Sequence, residues 1–192
     1  MTGRIVTTVA LCSLPFVLGA QVARPATGAP EVFNAVAQFT NANGALSGTL
    51  EVHVDRYTPE FDRATVETSL REGGYPRFLT TLRNAPGVGQ LMIAGGKPYQ
   101  IRYARETAEA SGRVIVLITD RPVFFVGGGQ ETSKPRSGYE VALLRLQIDG
   151  AGRGQGTMAG AARVRPDGNG GVLLDDYAEQ PIALTSVTRK PG

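Results

Sequence analysis

Residues 113–120 read RVIVLITD and hold an uninterrupted apolar run from Val114 to Ile118. Four of the five residues in that run are β-branched, which favours an extended backbone. A strand with apolar residues at every position presents an apolar surface on both of its faces. The run therefore predicts a central strand that other parts of the chain cover on both sides.

Short turn signals separate further strand-like segments along the rest of the chain. Examples are Ser111-Gly112, just before the apolar run, and the sequence DGNGG at 167–171. Short connections of this kind join antiparallel neighbours, whereas parallel strands need long crossovers. The strands predicted in this way cover residues 31–40, 46–56, 88–94, 98–107, 113–120, 123–126, 139–149, 155–165, 171–178 and 181–189.

Two of these segments have residue patterns that also indicate their surroundings in the fold. Between residues 46 and 54, an apolar residue or glycine occupies every second position and polar residues lie between them, the period of a half-buried strand. Glycine recurs at every second position from Gly150 to Gly156. A hairpin corner, or a face left bare for another backbone to approach, explains that pattern.

The only stretch with clear helical character lies between Thr58 and Pro86. Thr58 is the expected N-cap, and the proline that follows it suits the first helical position. The diglycine at 73–74 predicts the end of this helix, and Pro76 predicts the start of a second. The second helix has an apolar stripe at i, i+3, i+4 and i+7, formed by Tyr75, Phe78, Leu79 and Leu82.

These elements predict an α+β fold built mainly from one antiparallel sheet. We expect the sheet to be strongly curved or partly closed into a barrel, with a helix pair inserted after an early strand. The helix pair would pack on a face of the sheet or plug one of its ends. The chain shows no repeat of fixed period and no linker that would divide it, so residues 31–192 are predicted to form a single β-rich domain.

The first 20 residues, MTGRIVTTVALCSLPFVLGA, have the pattern of a secretory signal peptide. Arg4 precedes an apolar run of 14 residues, which is shorter than the roughly 18 residues that a transmembrane helix needs. Removal of this segment would leave 172 residues that contain no cysteine, because Cys12 is the only one in the chain. Residues 21–30 are predicted to form a flexible N-terminus. We therefore expect an exported protein, periplasmic or extracellular, without disulfides or a transmembrane segment.

The charge distribution argues against nucleic acid as a partner. The chain has 20 basic and 17 acidic side chains, which gives a formal net charge of +3 at pH 7. Basic residues are not gathered in a block, whereas nucleic-acid binding normally uses a concentrated basic face.

The single histidine, His53, alternates with Glu51 and Asp55 on one predicted strand. Such a row could supply mixed nitrogen and oxygen ligands to a metal, but one histidine and two carboxylates make a poor zinc site. A solvated polar face with local charge pairing is the favoured interpretation. We predict no metal and no cofactor.

The sequence offers few groups for catalysis. A Ser-His-Asp triad would have to use His53, and neither a Gly-x-Ser-x-Gly nor a Ser-x-x-Lys motif occurs. Paired carboxylates, as in glycoside hydrolysis, remain an alternative if distant segments bring two acids together. No catalytic residue is predicted.

The candidate ligand-binding residues are two tyrosines and an arginine on one strand, and a charged pair at the end of another. Tyr99, Tyr103 and Arg105 share one predicted strand face, where they could form a wall for an anionic or aromatic ligand. Asp120 and Arg121 follow the apolar strand and could lie at the rim of a pocket. Ordinary cross-strand packing and an Asx-type turn at Asp120 are the structural alternatives. The loop 127–138 is either a flap over such a pocket or a plain connection.

Several segments together resemble a group of uncharacterised secreted bacterial proteins. They are LEVHVDRYTPEF, the diglycine at 73–74, IRYARET, VIVLITDRP, YEVALLRLQIDGAGRGQG and DYAEQPIALTSV. The resemblance covers residues 48–189 and implies an exported bacterial protein of one domain. It carries over no activity and no functional residue.

The function expected from the sequence is therefore non-catalytic binding by an exported domain. The ligand would be small, apolar or lipid-like and would lie inside the curved sheet or at its mouth. A carboxylate-dependent hydrolase, or a module that binds a protein partner in the cell envelope, are the alternatives.

Overall fold

A computed structural model describes residues 28–41, 44–93, 96–124, 136–168, 170–178 and 180–191. The predicted signal peptide, most of the predicted N-terminal segment and residues 125–135 of the loop region lie outside the described residues. The elements are β1 (Glu31–Asn41), β2 (Gly44–Val54), α1 (Glu60–Asn84), β3 (Gly89–Ile93), β4 (Tyr99–Glu109), β5 (Gly112–Thr119), β6 (Val141–Asp149), β7 (Arg153–Pro166), β8 (Val172–Tyr177) and β9 (Ile182–Arg189).

The strands form an antiparallel barrel of eight strands with one additional strand. Neighbouring strands follow the order β6-β5-β4-β3-β2-β1-β9-β7, and pairing between β6 and β7 closes the ring. The ninth strand, β8, pairs with the second half of the long strand β7. The prediction of a mainly antiparallel, curved sheet is confirmed, and the barrel is closed rather than partly open.

The barrel interior is filled by apolar side chains from alternate positions of its strands. Phe33 on β1, for example, lies opposite Val52 on β2, and both are fully buried. The same cluster includes Leu50, Leu91, Ile101, Ile115, Leu117, Leu144, Leu146, Met158 and Leu184. A barrel of eight strands is just wide enough for its own side chains to fill.

The helix α1 covers part of the outer wall of the barrel. Val66, Leu70, Phe78 and Leu82 of the helix share an apolar cluster with outward-facing residues of β4, β5, β6 and β7, among them Tyr103, Ile118, Leu143 and Ala159. The strand β5 is therefore covered on both faces, as its sequence predicts. Its inner face packs on the barrel core, and its outer face packs under the helix.

The predicted pair of separate helices is not supported, because α1 extends across the diglycine as one element, but the element is kinked there. Its backbone departs from helical angles only at Gly74, with φ 65° and ψ −171°, and the chain resumes the helix at once. Residues from both halves, such as Leu70 and Phe78, pack in the same cluster against the barrel. The diglycine therefore bends the helix, as its sequence predicts, and the shared packing surface keeps both halves against the barrel.

The predicted N-cap is also replaced by a different contact. Thr58 makes no cap to α1, and its Oγ1 instead accepts a hydrogen bond of 2.8 Å from the backbone N–H of Ala104. The backbone N–H of Thr58 in turn donates to the Ala104 carbonyl at 2.9 Å. The short strand β3 pairs only with the beginning of β4. Further along β4, the segment that contains Thr58 lies beside the strand in its place. The chain is thereby led from β2 to the outer wall, where α1 begins.

One barrel end is crossed by the chain that follows β5. Val123, assigned to a strand from the sequence, is not in one, and its N–H donates to the Gly160 carbonyl at 2.8 Å. Its side chain is 1% exposed and packs on the barrel core. Val123 therefore caps the barrel instead of adding a strand to it, and residues 125–126 of the predicted strand lie outside the described residues.

The glycines of the β6–β7 hairpin have the role expected from their spacing. Gly152 has a φ of 77° in the turn, a conformation that glycine adopts without steric cost. Gly154 and Gly156 lie on β7 where the backbone carbonyls of β6 leave no room for a Cβ atom. Close approach of the two backbones is therefore what these positions require.

The opposite barrel end is closed by a buried ionic network. Arg113 at the start of β5 pairs with Glu31 at the start of β1, and both side chains are almost fully buried. Tyr57 donates to Glu31 Oε2 at 2.7 Å, Arg189 Nε lies 3.2 Å from Glu31 Oε1, and Glu106 Oε2 accepts from Arg113 at 3.2 Å. Two arginines and two glutamates thus balance one another in charge.

Candidate functional site

An open cleft of about 600 Å³ lies on the outer wall where α1 ends beside β3, β4 and the end of β5. A volume of this size is typical of small-molecule sites. The cleft is lined by polar and charged side chains with one proline: Arg83, Gln90, Pro98, Gln100, Arg102, Asp120 and Arg121.

The strands β3 and β4 supply the floor of the cleft. Gln90 and Gln100 are directly paired across these strands, and their neighbours Leu91 and Ile101 point into the barrel. Alternation along a strand therefore directs both glutamines outward. The amide of Gln100 donates to the Gly89 carbonyl at 2.7 Å, which fixes its orientation.

Arg102 enters the cleft because β4 carries a bulge at this point. Pairing with β5 shifts register between Ile101 and Tyr103, so that Arg102 is an extra residue on β4. Its Nη1 donates to the Ala85 carbonyl at 2.7 Å, just after the helix. Its Nε is buried, lacks a hydrogen-bond partner among the described residues, and lies 3.5 Å from Asp120 Oδ2.

The other two arginines are also held by backbone carbonyls. Arg83 Nε, from the last turn of α1, donates to the Asp120 carbonyl at 3.2 Å. Arg121 Nη2 donates to the Pro98 carbonyl at 3.0 Å, and its guanidinium lies 4.8 Å from the centre of the Tyr99 ring. Each guanidinium is thereby positioned by one of its five N–H donors, which leaves further donors for a ligand.

The electrostatic character of the cleft is positive. Three arginines and one aspartate give the lining a formal charge of +2. Guanidinium groups bind carboxylate and phosphate oxygens through charge-assisted, often bidentate, hydrogen bonds. The arrangement is therefore suited to an anionic group.

Three of the five predicted ligand-binding residues meet at this cleft. Asp120 and Arg121 line it, and Tyr99 lies directly beneath the Arg121 guanidinium. The ring of Tyr99 packs partly on the barrel core. The structure therefore brings together residues from β4 and from the segment after β5, as a pocket rim would require.

The other two predicted residues, Tyr103 and Arg105, lie elsewhere, beneath α1. The bulge at Arg102 turns Tyr103 to the outer wall, so the expected common face with Tyr99 does not form. The Tyr103 hydroxyl is buried and donates to Glu67 Oε1 at 2.7 Å, and Arg105 Nη1 lies 3.6 Å from the same oxygen. Arg105 also donates to the Gly170 carbonyl. Burial and the Glu67 carboxylate raise the pKa of Tyr103.

Five of the seven lining residues were not predicted from the sequence: Arg83, Gln90, Pro98, Gln100 and Arg102. Arg83 reaches the cleft only because α1 ends beside β4, which is a tertiary relationship. Gln100 and Arg102 lie on β4 close to the predicted residue Tyr99. The polar side chains in the sequence YQIR could have indicated that they belong to the same site.

The row around His53 forms a local charge cluster on the outer wall of β2. His53 Nε2 is bonded to Glu51 Oε1, and Lys190 Nζ is bonded to Glu51 Oε2. Two hydrogen bonds lower the pKa of Glu51. The one from Lys190 has the larger effect, and the one from His53 the smaller. Across the described residues, no three His, Cys, Asp or Glu side chains are grouped as a metal site would require.

No family model, no curated protein and no solved structure matches this chain. The resemblance to secreted bacterial proteins thus stays a prediction. In the part of the chain that the structure describes, none of the helical sequence is both long and apolar enough for a membrane span.

Proposed function

We propose that this chain is a non-catalytic binding domain that holds a small anionic ligand in the arginine-lined cleft. The observation that carries the proposal is the grouping of Arg83, Arg102 and Arg121 around Asp120. Each guanidinium is anchored by a backbone carbonyl before any ligand arrives. Such preorganisation lowers the entropy that binding would otherwise cost.

The packing of the barrel supports the rim rather than the interior as the place of the ligand. Apolar side chains from the eight strands fill the centre, and Val123 covers one end. The ionic network of Glu31 and Arg113 occupies the other end. The ligand-binding role expected from the sequence is therefore proposed for the outer cleft, and for a polar ligand.

The carboxylates of the cleft favour binding over hydrolysis. Asp120 is the one carboxylate among the described residues that line it. Acid–base glycoside hydrolysis needs two carboxyl groups about 5 to 10 Å apart. Glu31 and Glu106, which do lie near one another, share Arg113 inside the barrel end.

Titration calorimetry with acetate and inorganic phosphate on the mature chain tests the proposal. Binding should weaken as ionic strength rises, because exposed charges are screened. Arg102→Gln should weaken it by about tenfold, since charge-assisted hydrogen bonds contribute about 1.5–3 kcal/mol. Arg145→Gln is the matched control, because Arg145 is half-exposed on β6 and is not among the lining residues. If neither anion binds, or if both variants behave alike, the proposal is wrong.

Export of the mature chain belongs to the same proposal and rests on residues 1–20. The arrangement of Arg4, the apolar run and the small residues at 19–20 is typical of a cleaved signal peptide. N-terminal sequencing of the protein from its own producing cells should begin at Gln21. A product that retains Met1 would contradict export by this route.

A second candidate function is the recruitment of a protein partner through β8. Within the described residues this strand pairs with β7 alone, so one edge of its backbone has no strand beside it. Its last residue, Tyr177, is 40% exposed. Strand addition to such an edge is a common mode of peptide recognition. A stoichiometric partner that is lost on Leu174→Pro, while anion binding stays unchanged, would favour this function.

A further inference from the structure

The carboxylate of Asp120 is the unusual member of the arginine-lined cleft. It lies among three guanidinium groups, yet its nearest one, Arg102 Nε, is 3.5 Å away and donates no hydrogen bond to it. The well-formed hydrogen bonds of Asp120 are made by its backbone, to Arg83 and to Gln100. The side chain is therefore an acceptor whose capacity the described residues leave unused.

A ligand that is anionic at every polar position would not suit this arrangement. An ionised carboxylate only accepts hydrogen bonds, so Asp120 would repel an anionic oxygen placed against it. A ligand that carries hydroxyl donors beside its anionic group would satisfy both Asp120 and the arginines. The cleft should therefore prefer a ligand in which a hydrogen-bond donor lies next to the anionic group.

The remaining lining residues fit hydroxyl groups as well. Gln90 is exposed at the cleft and has an amide that can both donate and accept. Gln100 uses an amide N–H on the Gly89 carbonyl, which leaves its side-chain oxygen as an acceptor. Two amides on β3 and β4, together with the Asp120 carboxylate after β5, therefore complement the cationic groups.

Building on the proposed function, we propose that the ligand is a polyhydroxylated carboxylic acid of the sugar-acid class. Its carboxylate binds Arg102 and Arg121, and its hydroxyl groups donate to Asp120 and contact Gln90. Asp120 determines specificity, because its carboxylate accepts hydrogen bonds from hydroxyl groups and disfavours acids that carry no hydroxyl group.

Three probes of similar size test this inference by titration calorimetry on the mature chain. D-Glucuronate carries both the carboxylate and the hydroxyls, cyclohexanecarboxylate carries only the carboxylate, and methyl glucoside carries only the hydroxyls. Glucuronate should bind about tenfold or more tightly than cyclohexanecarboxylate, because a site built for hydroxyls rejects the analogue without them. Methyl glucoside should bind most weakly, since it offers no charge to the arginines.

The variant Asp120→Asn should reduce this preference. It removes the negative charge while keeping the size of the side chain, so cyclohexanecarboxylate should bind several-fold more tightly and glucuronate should lose most of its advantage. The fold is expected to persist, because the anchoring hydrogen bonds of Asp120 are made by its backbone. Asp175→Asn, an exposed carboxylate on β8, is the control and should change neither affinity.

The outcomes separate this inference from the proposed function. If cyclohexanecarboxylate binds as tightly as glucuronate, the sugar-acid inference is wrong and anion binding at the cleft still holds. An unchanged preference in Asp120→Asn also overturns the role of Asp120. If none of the three probes binds, the sugar-acid inference is wrong, and the titrations with acetate and phosphate decide separately whether the proposed function holds.

Discussion

Arg113 and Glu31 form a bidentate ion pair inside one end of the barrel. Arg113 Nη2 donates to Glu31 Oε1 at 2.8 Å, and Nη1 donates to Oε2 at 2.9 Å. The Arg113 guanidinium also lies 5.7 Å from the centre of the Phe33 ring. Because Glu31 begins β1 and Arg113 begins β5, the pair joins strands on opposite sides of the barrel.

Arg113→Met should destabilise the protein severely. The substitution leaves Glu31 buried beside fewer cationic groups, and loss of one partner of a buried pair costs about 3–5 kcal/mol. Urea unfolding followed by circular dichroism measures the change. Arg145→Met is the control and should cost less than about 1 kcal/mol, since Arg145 and Glu109 are exposed and 3.8 Å apart. If Arg113→Met does not fold, Arg113→Lys, which retains the charge, should fold with a smaller loss. A small effect of Arg113→Met would contradict the assigned role.

The same pair predicts how stability depends on pH. Burial tends to raise the pKa of Glu31, but the hydrogen bonds from Arg113 and Tyr57 and the charges of Arg113 and Arg189 outweigh it, so the pKa is lowered from 4.5. Below that value the unfolded chain binds more protons than the folded one, and the free energy of unfolding falls with the pH. Above it the contribution of Glu31 is fully present.

Unfolding experiments between neutral and acidic pH check this direction. The free energy of unfolding should be nearly constant above the ordinary range of glutamic acid and should decrease as the pH drops through the lowered pKa. Glu31→Gln should be less stable at neutral pH and should show a shallower decrease in acid. An equally steep decrease in the variant would show that other carboxylates cause it.

Ser186→Gly should make the protein more stable. Ser186 has a φ of 51° within β9, at the point where this strand shifts register against both β1 and β7. A residue with a Cβ atom is strained in this left-handed region, whereas glycine is not. The expected gain is about 1 kcal/mol in the free energy of unfolding. Ser47→Gly, on β2, is the control and should be destabilising, because glycine is unfavourable in an ordinary strand.

Tyr103→Phe should weaken the attachment of α1 to the barrel. The change removes the hydrogen bond of 2.7 Å to Glu67 Oε1, in a fully buried setting. Hydrogen bonds to charged groups contribute about 1.5–3 kcal/mol, and the free energy of unfolding should fall by a comparable amount. Tyr177→Phe, at a half-exposed position on β8, should have little effect. Equal stability of both variants would argue against a structural role for the Tyr103 hydroxyl.

The regular parts of the fold could be predicted from local patterns. Alternation and short turns place the strands and make their neighbours antiparallel, as the run from Val114 to Ile118 illustrates. The bulge at Arg102 could not be predicted, because YQIRYAR reads as unbroken alternation although one residue is extra. That single residue sends Tyr99 and Tyr103 to different faces, and its own side chain, Arg102, lines the cleft beside Asp120.

The helix α1 differs from its prediction because the diglycine has a smaller effect on the fold than its sequence indicates. The diglycine before Pro76 is a strong local signal for two helices, but Leu70 and Phe78 find their packing partners on one continuous barrel wall. The backbone does bend at Gly74, and burial of apolar side chains from both halves keeps them together on that wall. Arg83 reaches the candidate site through this same packing, so long-range contacts determine the site more than local sequence does.

The pairing of β7 has a consequence for how different parts of the molecule exchange their amide hydrogens. Its first half is enclosed between β6 and β9, whereas its second half, around Val164, carries β8. In deuterated solvent, amides of β1, β5 and β6 should become labelled only through global opening, since each of these strands has two neighbours. Amides of β8 should be labelled much sooner, through a partial opening. In that opening β8 and the second half of β7 separate from each other while the barrel stays intact.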